Sequence, residues 1–221
     1  MLVYKRMSHH PITAPPDMGV EAALKLMRDE KIRRLPVVER KTNKLVGIVT
    51  EKDLLYASPS PATSLSIHEI NYLLSKLKIE QVMTKKVITA TEDMALEEAA
   101  RVMVDNKIGG LPVMRGEALV GIITETDLFK VFIELFAGRE EGVRLTMLVP
   151  EEKGMLAKIT NKVSELGGNI VALGTFLGQD PTNRLLTIKV AGVGQIKLSN
   201  IMEELGLKVV DSRTCELGSK C

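Results

Sequence analysis

LVGIVTEKDL at residues 45–54 returns as LVGIITETDL at residues 119–128, and eight of the ten positions are identical. The repeat extends upstream, because residues 7–38 align without a gap with residues 83–114 and 15 of the 32 pairs are identical. Such self-similarity indicates two copies of one supersecondary unit that cannot bury its apolar side alone. The sequence therefore predicts two related units that share a core.

Each copy predicts the element order β-α-β-β-α. In the first copy, an extended piece at residues 12–14 leads to a helix capped by Asp17, and residues 35–38 and 45–49 are predicted strands before a second helix capped by Thr50. The second copy repeats this order, with its first helix capped by Asp93. Apolar residues recur at helical spacing in the first helix of both copies: Val20, Ala23, Leu24 and Met27, then Leu96, Ala99, Ala100 and Met103.

A Gly-hydrophobic-hydrophobic-Thr-x-x-Asp signature lies at residues 47–53 and again at residues 121–127, each time downstream of Leu-Pro-Val. In these residues the chain resembles a pair of CBS domains, which form one module with two clefts. The resemblance implies that the clefts bind an adenosyl ligand: AMP, ADP, ATP or S-adenosylmethionine. The ribose and phosphate contacts of the family carry over onto Thr50 and Asp53 in one cleft, and onto Thr124 and Asp127 in the other.

The chemistry of these residue types suits a ligand site and also a plain helix cap. Unpaired N–H groups at a helix start attract phosphate, and a carboxylate one turn further on can accept hydrogen bonds from two ribose hydroxyls. In the alternative interpretation, the two threonines only cap helices and the two aspartates complement the helix dipole. The doubled signature inside a matching repeat favours the ligand site.

Aromatic residues are scarce, since the chain has no Trp, three Tyr and four Phe. This composition argues against single-strand binders and ligand cages built on aromatic stacking. An adenine ring must then lie between aliphatic side chains and take its hydrogen bonds from the backbone. We expect this contact at two equivalent segments: Ile12, Thr13 and Ala14, and Ile88, Thr89 and Ala90.

The two copies differ in charge just before Leu-Pro-Val. The first copy has Arg33 and Arg34 where the second has Gly109 and Gly110. If these segments line the clefts, the sites are unequal and the one with the arginines prefers a polyphosphate. The alternative is that both arginines lie in a solvated turn.

The C-terminal third of the chain predicts a separate domain with the order β-α-β-β-α-β, which is the ferredoxin-like plan. Through residues 153–156 and 168–170 it resembles an ACT domain, a family that senses amino acids at interfaces between paired domains. The resemblance implies that Gly154 and Met155 offer backbone N–H groups to a carboxylate and that Asn169 offers its amide. The usual proline before the glycine is Lys153 here, and a fold kept only for dimerisation is the alternative.

The expected fold class is mixed α/β (α+β), with a CBS-domain pair followed by the ACT domain. This combination resembles the acetoin-utilisation B protein family, which also has a helix like that of residues 71–77 after a Ser-Pro-rich insert. The predicted boundaries follow the composition: 1–57 for the first CBS domain, 58–80 for a linker and helix, 81–138 for the second CBS domain, 142–216 for the ACT domain and 217–221 for a tail.

The expected cellular compartment and the net charge argue against several classes of function. Cys215 and Cys221 are interpreted as reduced thiols, the N-terminus lacks the apolar stretch of a signal peptide, and the apolar region 128–137 is interrupted by Lys130 and Glu134. We therefore expect a cytoplasmic protein. A formal net charge of only +2 argues against nucleic-acid and membrane-surface binders.

A catalytic constellation is missing from the sequence. The three histidines fit no triad or metal site and are interpreted as surface residues, and the paired acids Glu51/Asp53 and Glu125/Asp127 belong to the helix-start signature. We expect no enzyme activity, no catalytic cofactor and no metal. The sequence favours a homodimeric regulator that senses a small molecule and acts on a partner protein, with a structural dimerisation scaffold as the alternative.

Overall fold

The computed structural model describes residues 1–57 and 76–216. Most of the predicted linker and helix, with His68, and the predicted tail lie outside the described residues. The chain divides into two compact units, Met1–Leu128 and Phe129–Cys221.

The first unit contains both repeats in the predicted element order. The first repeat comprises β1 (Ser8–His9), α1 (Val20–Asp29), β2 (Arg34–Val38), β3 (Leu45–Thr50) and α2 (Glu51–Tyr56). The second repeat comprises β4 (Ala90–Thr91), α3 (Leu96–Asn106), β5 (Gly110–Arg115), β6 (Ala118–Thr124) and α4 (Glu125–Leu135). The boundary between the two units falls within α4, after Leu128. One sheet has the strand order β1-β6-β5-β4, and β2 pairs with β3 in a second sheet.

The leading segment of each repeat, residues 2–12 in the first and 78–88 in the second, adds to the sheet of the other repeat. Strand β1 pairs antiparallel with β6, and Thr84 forms the equivalent bridge to Ile48 on β3. Met7 packs over Gly121 and Met83 over Gly47, where a Cβ atom would overlap each methionine. Glycine inside these strands is needed because another segment approaches closely.

The apolar core confirms that the repeats fold together. Ile79, which leads into the second repeat, is fully buried among residues of the first repeat that include Val20, Met27, Leu35 and Leu54. Burial of a large aliphatic side chain contributes about 1.5–3 kcal/mol. Exchange of leading segments therefore ties the repeats into one unit.

The predicted starts of the first helices are wrong. Helix α1 has Gly19 as its N-cap and α3 has Ala95, without a side-chain cap hydrogen bond. Gly19 and Ala95 are held extended by backbone bridges to segments that lead into the opposite repeat, at Lys78 and Leu2 respectively. Because these bridges decide where helical geometry can begin, Asp17 forms an ion pair with Arg40 instead, and Asp93 accepts a hydrogen bond from Thr91.

The second unit has the predicted order β-α-β-β-α-β. Its elements are β7 (Gly142–Pro150), α5 (Met155–Glu165), β8 (Asn169–Leu177), β9 (Asn183–Ala191), α6 (Gln195–Glu204) and β10 (Lys208–Cys215). The strands form one antiparallel sheet in the order β10-β7-β9-β8. Both helices pack on the same apolar core as the sheet, through Ile159 and Val163 on α5 and Leu198 and Met202 on α6.

The aromatic residues of the second unit are unequally packed. Phe136 stacks on Phe176 with 5.7 Å between ring centroids and lies over Gly174. Phe129 and Phe132, which precede it, are 66% and 57% exposed. Phe132 contacts the ring of Phe136 with 4.9 Å between centroids, so this aromatic contact includes Phe132 despite its exposure.

Cys215 corrects the expectation of reduced thiols. It is buried at the end of β10 and is disulfide-bonded. Two cysteines are too few for a framework of several disulfides, but their number does not exclude a single one. Within residues 1–57 and 76–216, no helix is long and apolar enough to cross a membrane, and no three His, Cys, Asp or Glu side chains cluster as a metal site.

Candidate functional site

Two open clefts of the first unit are lined by equivalent positions of the two repeats. Cleft A has a volume of about 500 Å³, and its lining residues include Thr50, Asp53, Ile88, Lys107 and Ile108. Cleft B has a volume of about 330 Å³, and its lining residues include Thr124, Asp127, Ile12, Lys31 and Ile32. Both volumes lie within the range of small-molecule sites, about 300–1,000 Å³.

Each cleft combines the two repeats. It takes the Thr-x-x-Asp signature from one repeat, and the leading segment and the Lys-Ile pair from the other. This follows from the exchange of leading segments between the sheets, which places Ile12 in cleft B and Ile88 in cleft A. This exchange was not predicted from the sequence, although Gly47 and Gly121 signal it, since a glycine in the interior of a strand marks a close approach.

The threonine and aspartate of each signature are hydrogen-bonded to one another. In cleft A, Oδ2 of Asp53 accepts from the backbone N–H of Thr50 at 2.8 Å and from its Oγ1 at 2.7 Å. In cleft B, Oδ2 of Asp127 accepts from the backbone N–H of Thr124 at 3.0 Å and from its Oγ1 at 2.7 Å. Both aspartates therefore accept from a backbone donor at a helix start, which is a capping contact beyond the dipole role that the capping interpretation gave them.

Capping does not use up the acceptor capacity of the carboxylate. An ionised carboxylate has about four lone-pair sites, and both described hydrogen bonds from Thr50 go to Oδ2 of Asp53. Within the described part of the chain, Oδ1 of Asp53 makes no hydrogen bond. This oxygen can accept from a hydroxyl of a ligand in cleft A while the cap stays formed.

The predicted adenine segments contribute only their isoleucines to the clefts. Ile12 and Ile88 are 36% and 39% exposed and lie at equivalent positions of clefts B and A. Ala14 and Ala90 are buried beside β2 and β5, where backbone pairing turns their side chains into the core. Four of the predicted residues therefore line neither cleft: Thr13, Ala14, Thr89 and Ala90.

Further aliphatic residues, which the sequence analysis did not select, complete the apolar lining. Cleft A contains Ile48 and Val87, and cleft B contains Ile122 and Pro11 at the equivalent positions. Among the described residues, no Phe, Tyr or Trp lines either cleft, and the only aromatic rings are the imidazoles of His9 and His10 in cleft B. The apolar part of each cleft is therefore aliphatic, as the composition predicted.

Arg33 and Arg34 line both clefts, whereas the sequence analysis assigned them to one. Lys52 and Lys86 add positive charge to cleft A, and His10 stands in cleft B at the position equivalent to Lys86. The arginines therefore do not distinguish the clefts, and a difference in ligand preference needs another source.

Arg34 occupies a special position among these cations. Its side chain is only 21% exposed, and its Nη2 atom lies 3.7 Å from Oε2 of Glu125. Burial lowers the pKa of the Arg34 guanidinium, and the negative charge of Glu125 opposes that lowering. Arg33 beside it is exposed.

The residues expected to bind an amino acid are split between the two ends of α5. Gly154 is the N-cap of this helix with φ of +84°, and Met155 is its first residue, whose N–H donates to the carbonyl of Glu152 at 3.3 Å. Asn169 begins β8, after the other end of the helix. Eleven helical residues rise about 16 Å. One copy of the unit therefore does not bring Asn169 to Gly154.

Comparison with known proteins identifies relatives that match part of the chain. The closely matching proteins include MJ1426 of Methanocaldococcus jannaschii, described as uncharacterized, which is 35% identical over 156 residues; the match covers 60% of this chain and 92% of that protein. A second relative is an inosine-5′-monophosphate dehydrogenase of Korarchaeum cryptofilum, 36% identical over 136 residues that are only 25% of the enzyme. The likeness to this enzyme is restricted to a quarter of its length and does not extend its reaction to this chain.

Solved structures of CBS-domain proteins resemble about three fifths of this chain in fold. The CBS domain pair of protein MJ0100, in complex with 5′-methylthioadenosine and S-adenosyl-L-methionine, has a TM-score of 0.51 and 32% identity; the match covers 63% of this chain and 98% of that one. A Vibrio cholerae protein described as an acetoin utilization protein (AcuB) has a TM-score of 0.52 and 33% identity, over 62% of this chain and 93% of that one.

A family model described as the CBS domain matches twice, at residues 3–60 and 79–134, which together cover more than half of the chain. These ranges contain both Thr-x-x-Asp signatures and every residue that lines clefts A and B. The chain therefore belongs to the CBS-domain family and carries two CBS domains in tandem.

Proposed function

We propose that this protein is a non-catalytic regulatory sensor that binds adenosyl ligands in clefts A and B and acts on a partner protein. The observation that carries the proposal is the doubled site, in which equivalent residues of the two repeats form two clefts with a Thr–Asp pair in each. The MJ0100 domain pair, solved with two adenosyl compounds, supports this ligand class.

Each part of such a ligand has a partner in the cleft. The adenine ring lies between aliphatic side chains, with Ile48 and Ile88 on cleft A, and gains affinity from burial of apolar surface. The ribose hydroxyls donate to the carboxylate of Asp53 or Asp127. Phosphates, or another anionic group, meet the arginines, with guanidinium groups able to bind them in a bidentate manner.

A thermal-shift panel with AMP, ADP, ATP and S-adenosylmethionine tests the proposal. We expect at least one ligand to raise the melting temperature, because a ligand that binds only the folded chain stabilises it by mass action. The shift should shrink in Asp53→Asn and in Asp127→Asn. Asp93→Asn is the matched control, since Asp93 also accepts a threonine hydroxyl but lines neither cleft. No shift with any saturating ligand would leave the proposal without support.

The second candidate function is a dimerisation scaffold with no live ligand site. It is favoured by the Thr–Asp pairs, which already satisfy one another as caps, and by the exposed Phe129 and Phe132. The same panel separates the two candidates, because a scaffold gives no shift with nucleotide. Light scattering of the purified chain tests the homodimer that both candidates expect.

For the C-terminal unit we propose an ACT domain that binds an amino acid between two copies of the chain. The antiparallel order β10-β7-β9-β8 and the left-handed Gly154 at the start of α5 support this proposal. Two copies are needed because Asn169 lies at the far end of α5 from Gly154 within one chain. The likeness to AcuB supports a link to acetoin utilisation, and that link, like the cytoplasmic location, stays a prediction.

A further inference from the structure

We propose that Arg34 is a single phosphate-binding group shared by clefts A and B, so that an anionic ligand in one cleft weakens the binding of an anionic ligand in the other. This inference rests on the proposed binding of adenosyl ligands. It adds a coupling between the clefts and assigns that coupling to one residue.

The position of Arg34 spans the two signatures. Its Cα is paired with that of Thr50 across β2 and β3, and Thr50 is the N-cap residue that lines cleft A. Its guanidinium reaches Glu125, the residue after Thr124, at the cap of cleft B. One side chain thus begins beside one Thr–Asp pair and ends beside the other, and it lines both clefts.

A side chain at the equivalent positions of the second repeat would crowd Arg34. Gly110 aligns with Arg34 in the repeat, and a Cβ atom on Gly110 would lie 3.2 Å from Cδ of Arg34. A Cβ atom on Gly109 would overlap Nη2 of Arg34. The two equivalent positions are therefore neighbours, and the glycines leave the space that the one arginine fills.

Arg34 differs from Arg33, which also lines both clefts. Arg33 is exposed, so solvent and salt screen its charge. Arg34 is mostly buried, and a charge in a less polar environment interacts more strongly with an anion. Its partner Glu125 is 56% exposed and lines cleft A only.

The weaker binding of a second anionic ligand follows from the single positive charge of Arg34. A guanidinium offers five N–H donors but only one positive charge. Once a phosphate in one cleft has neutralised that charge, a phosphate entering the other cleft gains less from it. An uncharged adenosyl ligand does not need Arg34 and binds in each cleft independently. Coupling of binding is reciprocal, so either cleft can be filled first.

Calorimetry with ATP and with 5′-methylthioadenosine, in EDTA and at constant ionic strength, tests the inference. Asp53→Asn and Asp127→Asn each leave one intact cleft and give its dissociation constant alone. In the wild-type chain, the second ATP should bind about tenfold more weakly than the weaker single-cleft constant, a coupling within the usual range of about 5–150-fold. The uncharged 5′-methylthioadenosine should show two constants equal to the single-cleft ones.

Arg34→Gln should abolish the coupling between two ATP molecules while both clefts still bind 5′-methylthioadenosine. The matched control is Arg40→Gln, which removes an exposed arginine of the same repeat that pairs with Asp17 and lines neither cleft. It should keep the coupling. If Arg34→Gln does not fold, the comparison of the two ligands on the wild-type chain carries the test.

Three results would overturn the inference: independent binding of two ATP molecules to the wild-type chain, equal coupling for the uncharged ligand, or coupling that persists in Arg34→Gln. Each of these still shows occupied clefts, and so leaves the proposed function standing. Absence of binding by either ligand would instead contradict the proposed function itself, and the shared arginine with it.

Discussion

Asp53 and Asp127 show how one side chain serves the fold and a candidate ligand together. Each carboxylate accepts from the backbone and the hydroxyl of the threonine three residues earlier. Such a cap holds the carboxylate in place before any ligand arrives, and a preorganised acceptor loses less entropy on binding. The two interpretations of the signature, cap and ligand site, are therefore compatible.

Thr50→Ala tests the capping part of this double role. The change removes an Oγ1 atom that donates to Oδ2 of Asp53 and accepts from its backbone N–H. We expect the free energy of unfolding of the first unit to fall by about 1 kcal/mol, the usual cost of a lost N-cap. Urea unfolding followed by circular dichroism measures it. Thr42→Ala is the control, because the Thr42 hydroxyl accepts only one long hydrogen bond of 3.4 Å in an exposed turn; an equal loss in both variants would contradict the capping role.

Elements, unlike single residues, depend on contacts that the sequence does not display. The periodic apolar residues predicted α1 and α3, and the Val- and Ile-rich runs predicted β2, β3, β5 and β6. The helix starts could not be predicted from Asp17 and Asp93, since backbone bridges from segments leading into the opposite repeat hold Gly19 and Ala95 extended. The start of each of these helices is therefore determined by long-range backbone pairing and not by the local capping residue.

Gly121→Ala tests the exchange of leading segments at the level of the strands. The new Cβ atom would lie 2.5 Å from Sδ of Met7 and 3.0 Å from the carbonyl oxygen of Ser8 on β1. Overpacking of this kind costs about 1–3 kcal/mol, so we expect a lower unfolding midpoint in urea. Gly19→Ala is the matched control, because a Cβ there meets nothing within 4 Å and Ala95 occupies the equivalent position. Unchanged stability of Gly121→Ala would contradict the close approach of β1.

At the scale of the whole molecule, the residues of the Thr–Asp pairs could be predicted from the sequence. Which segments of the two repeats come together in one cleft could not. The resemblance to a CBS-domain pair implied two clefts with Thr50, Asp53, Thr124 and Asp127, and the structure brings each pair together. That each cleft borrows its isoleucine from the opposite repeat depends on how two copies dock. Alignment of the copies cannot reveal such docking, because the repeats are equivalent in either arrangement.

The most direct test of the account is the stoichiometry of ligand binding in paired variants, measured by calorimetry with the adenosyl ligand that gives the largest thermal shift. Asp53→Asn and Ile88→Asp should each remove one of two binding events, and the double variant should still lose only one, since both residues line cleft A. Asp53→Asn combined with Ile12→Asp should lose both events, because Ile12 lines cleft B. The reverse pattern, with both events lost in Asp53→Asn/Ile88→Asp and one kept in Asp53→Asn/Ile12→Asp, would contradict clefts built from both repeats.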